Sequence, residues 1–448
     1  MNGSKNCGLG RAKLAYRRAP AKKSTTTTMP GRQKTTIVLV DQAVVSGTNF
    51  LTGLVLARFL GLEGYGHFVL VYGVVLFVSG IQVALIISPM MVTIPRLKPA
   101  EAPAYLRNVT FQQILFSLAT FLIAAPTIMA LAEILRMPAL AELAVPGAAT
   151  AAAFVTQDFL RRALIVSDHA SQGLVNDLVS YLLQLAGLLY WFLGVGQTTY
   201  SAFWIITTTS MIAVLHGVRV LAPLMNAGTC RATTAPATFG RVLEQHWEFG
   251  RWLVARNIAY WGSSQFLIYL SGALLSAAAV GALTATRNII GFANILFLAL
   301  ENIVPSRAAA MLEQRGHTGL KKYLRRVSLL GGILTGLVVL VAAAAPEFWL
   351  SLVYGEEYAG YGWLVIGWGI YYIVGFFHRP LSAGLRALDK TKDIFTATLF
   401  GMIATMLISY PAIRLFELPG AMLSMIVIQL LILLILLKRF QRHVAIHY

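Results

Sequence analysis

Apolar residues follow one another along this chain in runs of about 20, separated by short polar stretches. Twelve runs can be distinguished, at 37–58, 67–94, 108–132, 141–163, 174–193, 200–225, 248–272, 277–303, 323–345, 360–380, 394–413 and 418–437. A helix of about 20 apolar residues crosses the hydrocarbon core of a bilayer, so each run predicts one membrane span. The fourth and fifth runs are the least distinct, because charged residues of 158–177 lie near their junction.

The composition supports a membrane protein and argues against a soluble domain. Of the 448 residues, 57% are hydrophobic and 12% are charged, whereas soluble proteins carry about 25% charged residues. The sequence therefore predicts an all-α polytopic membrane protein with about twelve transmembrane helices in two six-helix lobes.

The net charge of +18 is distributed by side of the membrane. The two tails and every second connection between the apolar runs, which would lie on the same side of the membrane as the N-terminus, together hold 31 of the 36 lysines and arginines. The connections on the other side hold only Arg58, Arg136 and Arg414. Positive residues stay in the cytoplasm, which predicts cytoplasmic termini and an even number of spans. The excess of basic residues is then explained by the orientation of the chain in the membrane and by contact with anionic lipids. We therefore expect no nucleic acid partner.

The long basic connection after the sixth run divides the chain into two halves. The predicted organisation is a disordered basic cytoplasmic tail at 1–36, an N-terminal lobe at 37–225, a cytoplasmic linker at 226–247, a C-terminal lobe at 248–440 and a cytoplasmic tail at 441–448. Met29 is an alternative start within the first tail. A faint internal repeat relates 54–68 to 272–283, since each has a helix end, a short turn and a glycine-led helix start. Many transporters consist of such halves, with substrate bound between them.

Polar residues in the first run occupy one face of the predicted helix. Gln42, Ser46, Asn49 and Gly53 are spaced by four, three and four residues, and Asp41 lies beside them. Polar side chains within a span usually face a cavity or a partner. Two interpretations stay open: this face lines a cavity, or it packs closely against another helix while Asp41 reaches the membrane interface.

The eighth run carries an arginine deep inside a predicted span. Arg287, Gly291, Asn294, Leu298 and Glu301 form one stripe, and Arg287 lies about 10 Å from the start of the helix. A buried guanidinium that faces a cavity suits an anionic ligand, because it binds phosphate through two parallel hydrogen bonds. The alternative is a structural salt bridge with Asp41 or Glu301.

Two further runs carry groups that could contact a ligand. In the seventh run, Arg256 lies about two turns from the cytoplasmic end, so it lines a cavity or extends to the interface. The tenth run contains aromatic residues and a histidine, namely Trp363, Trp368, Tyr371, Tyr372 and His378. Aromatic rings stack on sugars, but packing and interface belts are the favoured interpretation here.

The chain contains none of the common enzyme motifs. Gly-x-Ser-x-Gly, a phosphate-binding loop and His-Glu-x-x-His are all absent from the sequence. Cys7 and Cys230 both fall on the predicted cytoplasmic side, where no disulfide is expected. The histidines have no metal-ligand spacing. We therefore expect no enzymatic activity, no metal and no cofactor.

Two local motifs resemble a known superfamily. Residues 56–68 (LARFLGLEGYGHF) are similar to its first outer turn, where Arg-x-Leu-Gly precedes Tyr-Gly, and 157–163 (QDFLRRA) are similar to the inner end of its fourth helix. The chain resembles the multidrug/oligosaccharidyl-lipid/polysaccharide exporter superfamily, in particular its polysaccharide-transporter branch. The resemblance covers roughly residues 37–440 and implies two lobes that alternate between inward-open and outward-open states.

The resemblance also implies a function and a site. The implied function is a flippase in the bacterial inner membrane that moves an undecaprenyl-diphosphate-linked oligosaccharide outward for exopolysaccharide or O-antigen synthesis. Glycosyltransferases and a polysaccharide polymerase are then the expected partners. The resemblance implies a cationic cavity between the lobes, for which Arg58, Arg256 and Arg287 are the candidates in this chain. The polar helix faces described above add Asn49 and Asn294 as substrate-binding candidates, and Asp41 and Glu301 as ion-coupling candidates.

Three alternatives to the flippase stay open. A cation-coupled multidrug exporter of the same superfamily would favour an acidic cavity, whereas the deepest charge here is Arg287. A membrane-embedded polysaccharide polymerase or ligase should carry a large outer loop, and every predicted outer connection is short. A structural subunit without transport activity is the third alternative.

Overall fold

The fold is entirely helical over the residues described by a computed structural model, which are 31–226, 238–291 and 293–445. Within these ranges the side chains of 31–39, 42–43, 263–264, 293–296, 298–299, 301–303 and 445 are not described. The helices are α1 (Gly31–Gln82), α2 (Ser88–Thr93), α3 (Ala102–Leu135), α4 (Pro138–Glu142), α5 (Ala144–Val166), α6 (Ala170–Gly194), α7 (Thr199–Asn226), α8 (Phe239–Ser264), α9 (Phe266–Leu274), α10 (Ala277–Ile290), α11 (Ala293–Ala344), α12 (Pro346–Tyr354), α13 (Gly362–Ala387) and α14 (Thr391–Ala445). A π-helical turn (Val83–Ile87) and two 3-10 turns (Ile94–Arg96 and Glu356–Tyr361) connect some of them.

The three longest helices each contain one turn. Helices α1, α11 and α14 have 52, 52 and 55 residues, and each has a single residue with non-helical backbone, at Gly61, Gly316 and Glu417 respectively. A straight helix of that length would measure about 80 Å, more than twice the hydrocarbon thickness. Each of the three therefore supplies parts of two spans, and the helices match the twelve apolar runs. Seven described helical stretches are long and apolar enough to cross a membrane, and three of these contain such a turn.

The helices pack as two lobes, which confirms the predicted fold class. In the N-lobe α5 contacts α3 and α7, and α6 contacts α1 and α7. In the C-lobe α13 contacts α10, α11 and α14, and α14 also contacts α8 and α9. The largest contact between the lobes joins α1 to α10.

The predicted continuous helices at 248–272 and 277–303 are wrong, because both are interrupted. The first breaks at Gln265, between α8 and α9, and the second breaks between Ile290 and Ala293. The stripe that begins at Arg287 therefore crosses from the last turn of α10 into α11. An apolar count does not detect such a break, although Gly291 lowers helix stability at that point.

Several helices extend beyond the predicted apolar runs. Helix α1 begins at Gly31 inside the predicted 1–36 tail, α8 begins at Phe239 inside the predicted 226–247 linker, and α14 continues to Ala445. The backbone hydrogen bonds of a helix also form outside the hydrocarbon region. A helix can therefore continue into polar sequence beyond the end of an apolar run. Met29, Cys7 and Cys230 lie outside the described residues.

The twelve spans give the molecule two membrane faces. The basic face carries the helix ends near 97–101, 167–169, Gly316 and 388–390, and the opposite face carries the turns at Gly61, 136–137, 195–198, 275–276, 345–361 and Glu417. The positive-inside rule predicts that the basic face is cytoplasmic.

The lobes are joined at the opposite face by hydrogen bonds to backbone groups. Arg58 Nη1 donates a hydrogen bond to the carbonyl oxygen of Leu352 at 2.8 Å. The Tyr358 hydroxyl donates to the carbonyl oxygen of Ala57 at 3.0 Å. The Glu357 carboxylate accepts from the backbone N–H of Leu62 at 3.2 Å. These contacts close the molecule at this face.

Two glycines allow α1 and α10 to cross closely beside these bonds. A Cβ on Gly66 would overlap the carbonyl of Ala277, and one on Gly281 would overlap that of Leu62. The two segments of the faint internal repeat, 54–68 and 272–283, therefore lie against each other.

Candidate functional site

The C-lobe contains a cavity in two adjoining parts, with volumes of about 290 and 620 Å³. Both parts are lined by Tyr260, Gly375, His378, Arg379, Thr398 and Gln429. The interrupted spans α8/α9 and α10/α11 contribute to its wall, together with α13 and α14. Broken helices that line an internal cavity are typical of transporter binding sites. We refer to this space as the C-lobe cavity.

Three arginines give the C-lobe cavity a positive character. Arg287 lies in the last turn of α10, and Arg379 and Arg386 lie seven residues apart on α13. A spacing of seven places both α13 arginines on one helix face. None of the described residues that line the cavity is an aspartate or a glutamate. The described part of the cavity wall therefore carries a net positive charge.

Arg287 is held by an aromatic ring and a helix end. Its guanidinium carbon lies 5.8 Å from the centre of the Trp368 ring, and the C-terminal end of α10 favours a positive charge. Among the described side chains, no carboxylate forms an ion pair with Arg287, and Asp41 pairs with Arg161 instead. Beside it, Asn288 Nδ2 donates to the Tyr65 hydroxyl at 3.1 Å, across the lobe boundary.

Aromatic rings form one wall of the C-lobe cavity. The Trp368 ring lies 5.2 Å from Tyr371 and 6.4 Å from Tyr372, in edge-to-face arrangements. Arg379 lies 4.2 Å above the ring of Phe297. The sequence favoured packing for the aromatic residues of this helix, and the structure adds a wall position for Trp368, Tyr371 and Tyr372. Flat rings beside guanidinium groups suit a ligand that combines sugar and phosphate.

Three of the other predicted binding residues, Arg58, Asn49 and Arg256, are not among the described residues that line the C-lobe cavity. Arg58 is exposed at the opposite face, where it joins the lobes. Asn49 is exposed on α1, one turn before Gly53. A Cβ added at Gly53 would lie 3.6 Å from the side-chain nitrogen of Asn288 on α10. Asn49 therefore lies on the face of α1 that is directed toward the C-lobe.

Arg256 is exposed on α8, four residues before Tyr260, and so shares the helix face that reaches the cavity. Asn294 and Glu301 belong to α11, but their side chains are outside the described part of the structure. Their roles stay predictions.

The N-lobe contains a separate buried cluster of charges. Arg161 Nη1 lies 3.1 Å from the Asp177 carboxylate and 3.5 Å from that of Asp41, while Arg161 Nη2 lies 2.7 Å from Asp158. Arg162 pairs with Asp158 at 2.9 Å. Three carboxylates therefore share two guanidinium groups, which leaves one uncompensated negative charge if all are ionised. Within the described part of the structure, one buried oxygen of Asp41 has no hydrogen-bond partner, so this oxygen is available to accept a proton.

Sequence reasoning missed part of both sites. Arg379 lies at the end of the predicted run 360–380 and Arg386 lies beyond it, so both read as charges of the following basic connection, but α13 continues to Ala387. Asp158 and Arg161 stand in the 157–163 motif, and their spacing of three on a helix was a signal for an ion pair. No sequence signal pointed to Asp177, which lies on the next helix.

Comparisons with known proteins match a segment that contributes most, but not all, of the C-lobe cavity wall; Gln429 lies beyond it. Residues 253–411 match the MatE family, and this range contains Arg287, Arg379 and Arg386. No curated protein matches the chain.

Solved structures match nearly the whole chain. An inward-facing multidrug resistance MATE family transporter of the MOP superfamily has a TM-score of 0.70 at 14% identity, covering 89% of this chain and 94% of its own. An outward-facing multidrug resistance MATE family transporter of the same superfamily has a TM-score of 0.58 at 15% sequence identity. That match covers 94% of this chain and 99% of the other. A MOP superfamily transporter from Pyrococcus furiosus has a TM-score of 0.58 at 14% sequence identity, over 94% of this chain and 99% of its own. It is described as having a binding pocket of reverse polarity. At these identities the likeness shows a common fold.

Proposed function

We propose that this protein is an alternating-access transporter for an anionic amphiphile, namely an oligosaccharide linked to a lipid through a diphosphate. The observation that carries the proposal is the C-lobe cavity, where Arg287, Arg379 and Arg386 contribute to the wall and no described lining residue is acidic. The MatE match over 253–411 and the transporter fold support transport as the activity.

The chemistry of the cavity suits each part of such a substrate. A diphosphate does not cross hydrocarbon unaided, because desolvation of its charge is too costly. Guanidinium groups supply paired donors that match phosphate oxygens. The rings of Trp368 and Tyr371 offer faces for a sugar, and the polyprenyl chain stays in the bilayer.

The arrangement of the lobes supports entry from the basic face. The lobes are joined at the opposite face through Arg58, Glu357 and Tyr358. The C-lobe cavity extends along α13 to Arg386, within two residues of the end of that helix at the basic face. In this proposal, the substrate enters from the cytoplasmic leaflet and leaves in the outer one for surface-polysaccharide synthesis. Glycosyltransferases would supply it and a polymerase would consume it.

Energy coupling is proposed to involve the N-lobe charge cluster. Asp41 is buried, shares Arg161 with two other carboxylates and, among the described residues, has one oxygen without a hydrogen-bond partner. Binding and release of a proton or cation at Asp41 would change the charge of the cluster between the two states. Glu301 remains a second proposed coupling residue.

A cation-coupled multidrug exporter is the second function considered, and the comparisons favour it. The matched structures include MATE transporters described as multidrug resistance proteins. A lipophilic cation would be repelled by the C-lobe cavity, so it would have to bind nearer the N-lobe cluster.

The two functions are separated by substrate selectivity in proteoliposomes. The purified protein is reconstituted and tested with a fluorescent undecaprenyl-diphosphate-linked sugar, with the same sugar on an uncharged lipid, and with ethidium. We expect protein-dependent movement of the diphosphate lipid alone. Movement of ethidium without movement of the diphosphate lipid would establish the exporter function instead.

A further inference from the structure

A second positively charged site lies at the basic face of the C-lobe, where the two ends of α14 meet. One cleft there is lined by residues that include Lys390, Lys392, Asp393, Arg439, Arg442 and His443. A second cleft is lined by Phe400, Ile435, Lys438, Arg439 and Arg442. Because Arg439 and Arg442 line both clefts, the two form one continuous groove, which we call the α14 groove.

The α14 groove has a fixed charged frame. Asp393, in the first turn of α14, accepts from Arg439 Nη1 at 3.1 Å and lies 2.7 Å from His443 Nε2. These contacts join the beginning of α14 to its end and orient Arg439.

Positive charge exceeds negative charge in the groove. Its five lysines and arginines, Lys390, Lys392, Lys438, Arg439 and Arg442, face two carboxylates, those of Asp389 and Asp393. Among the described residues, no carboxylate forms an ion pair with Lys438 or Arg442, and both are exposed. The groove therefore attracts an anion.

The groove also has an apolar end that extends toward the middle of the membrane. Phe400 lies seven residues after Asp393 and Ile435 seven residues before Arg442, which places each about 10 Å deeper than that charged residue, while Lys438 lies about 5 Å from the level of Ile435. The Phe400 side chain is 53% exposed. Charge at the membrane surface above an apolar surface matches a phospholipid, whose phosphate lies above its acyl chains.

We propose that the α14 groove binds an anionic phospholipid of the cytoplasmic leaflet. Its phosphate contacts Lys438, Arg439 and Arg442, and an acyl chain lies along Phe400 and Ile435. Basic pockets between transmembrane helices at the cytoplasmic side bind anionic headgroups in this way. The bound lipid bridges the two halves of α14 and stabilises the C-lobe, whatever substrate the C-lobe cavity takes.

The test measures lipid-dependent stability of the full-length protein. Protein in phosphatidylcholine nanodiscs is compared with protein in nanodiscs that contain increasing fractions of phosphatidylglycerol, and Tm is followed. For the wild type we expect a saturable rise in Tm. Lys438→Gln/Arg442→Gln should weaken the apparent affinity about 30-fold, since two surface cations are lost.

A matched control removes the same charge elsewhere. Arg325→Gln/Arg326→Gln changes two exposed arginines of α11 and should keep the wild-type response. Each variant is compared with its own Tm in pure phosphatidylcholine, so a loss of basal stability does not obscure the result.

Two further arms identify the source of the phosphate. Inorganic phosphate should not reproduce the rise in Tm, and Phe400→Gln should reduce the response to phosphatidylglycerol. The proposal is overturned if Lys438→Gln/Arg442→Gln responds like the wild type. It is also overturned if the α11 control loses the response equally, or if inorganic phosphate gives the same rise.

Discussion

At the scale of residues, two arginines illustrate how neighbours decide the role of a charge within the membrane. Arg161 contacts three carboxylates, those of Asp41, Asp158 and Asp177. Arg287 contacts an aromatic ring in the C-lobe cavity, and no described carboxylate pairs with it. The first arginine is already neutralised within the N-lobe, and the second leaves its charge available for a ligand.

Removal of Arg161 should destabilise the protein. Arg161→Met would leave three buried carboxylates with only Arg162 nearby, at a cost of about 3–5 kcal/mol. We expect a strong fall in membrane abundance and in the Tm of the purified protein. Arg162→Met is the matched control, because Arg162 is more exposed, with 31% side-chain accessibility against 11% for Arg161, and pairs with Asp158 alone among the described carboxylates. Equal stability of the two variants would contradict this account of the cluster.

At the scale of helices, the apolar runs predicted the spans well but did not predict their interruptions. Hydrophobicity averaged over about 20 residues reports membrane crossing and is insensitive to single breaks such as those at Gln265 and Gly291. Those breaks form part of the wall of the C-lobe cavity. Arg379 and Arg386 were not assigned to the site for a related reason, since Arg379 stands at the end of the predicted run 360–380 and Arg386 beyond it, although α13 continues to Ala387. Contacts between helices, such as Arg161 with Asp177, depend on packing that no periodicity encodes.

The crossing of α1 and α10 should control closure at the opposite face. A Cβ introduced by Gly281→Ala would overlap the Leu62 carbonyl, so the closed arrangement of the lobes should become less favourable. The measurement is labelling of Leu62→Cys, a buried position at the crossing, by a membrane-impermeant maleimide in a background without Cys7 and Cys230. We expect labelling to become several-fold faster with Gly281→Ala.

The control for this experiment is Gly336→Ala, because a Cβ at Gly336 has no neighbour within 4 Å. It should leave the labelling rate unchanged. If Gly281→Ala also leaves the rate unchanged, the crossing does not limit opening.

At the scale of the whole molecule, the distribution of charge predicts how the two lobes are oriented in the membrane. A reporter fused after Asn226 or at the C-terminus should be active only if the reporter works in the cytoplasm, since both sites belong to the basic face. A reporter inserted after Gly355, at the opposite face, should show the reverse. A periplasmic signal from the first two sites would contradict the predicted orientation.

The central claim is that the C-lobe cavity binds the anionic part of the substrate through Arg287, and substitution of this residue tests it most directly. In proteoliposomes with equal amounts of folded protein, Arg287→Ala should slow movement of the diphosphate lipid by about 10–100-fold, the range expected for a lost charge-assisted hydrogen bond. Arg287→Lys should recover part of the rate, because an ammonium keeps the charge without the planar paired donors. Arg414→Ala, an exposed arginine near the opposite face, should move the lipid at the wild-type rate. Wild-type movement by Arg287→Ala would contradict the claim.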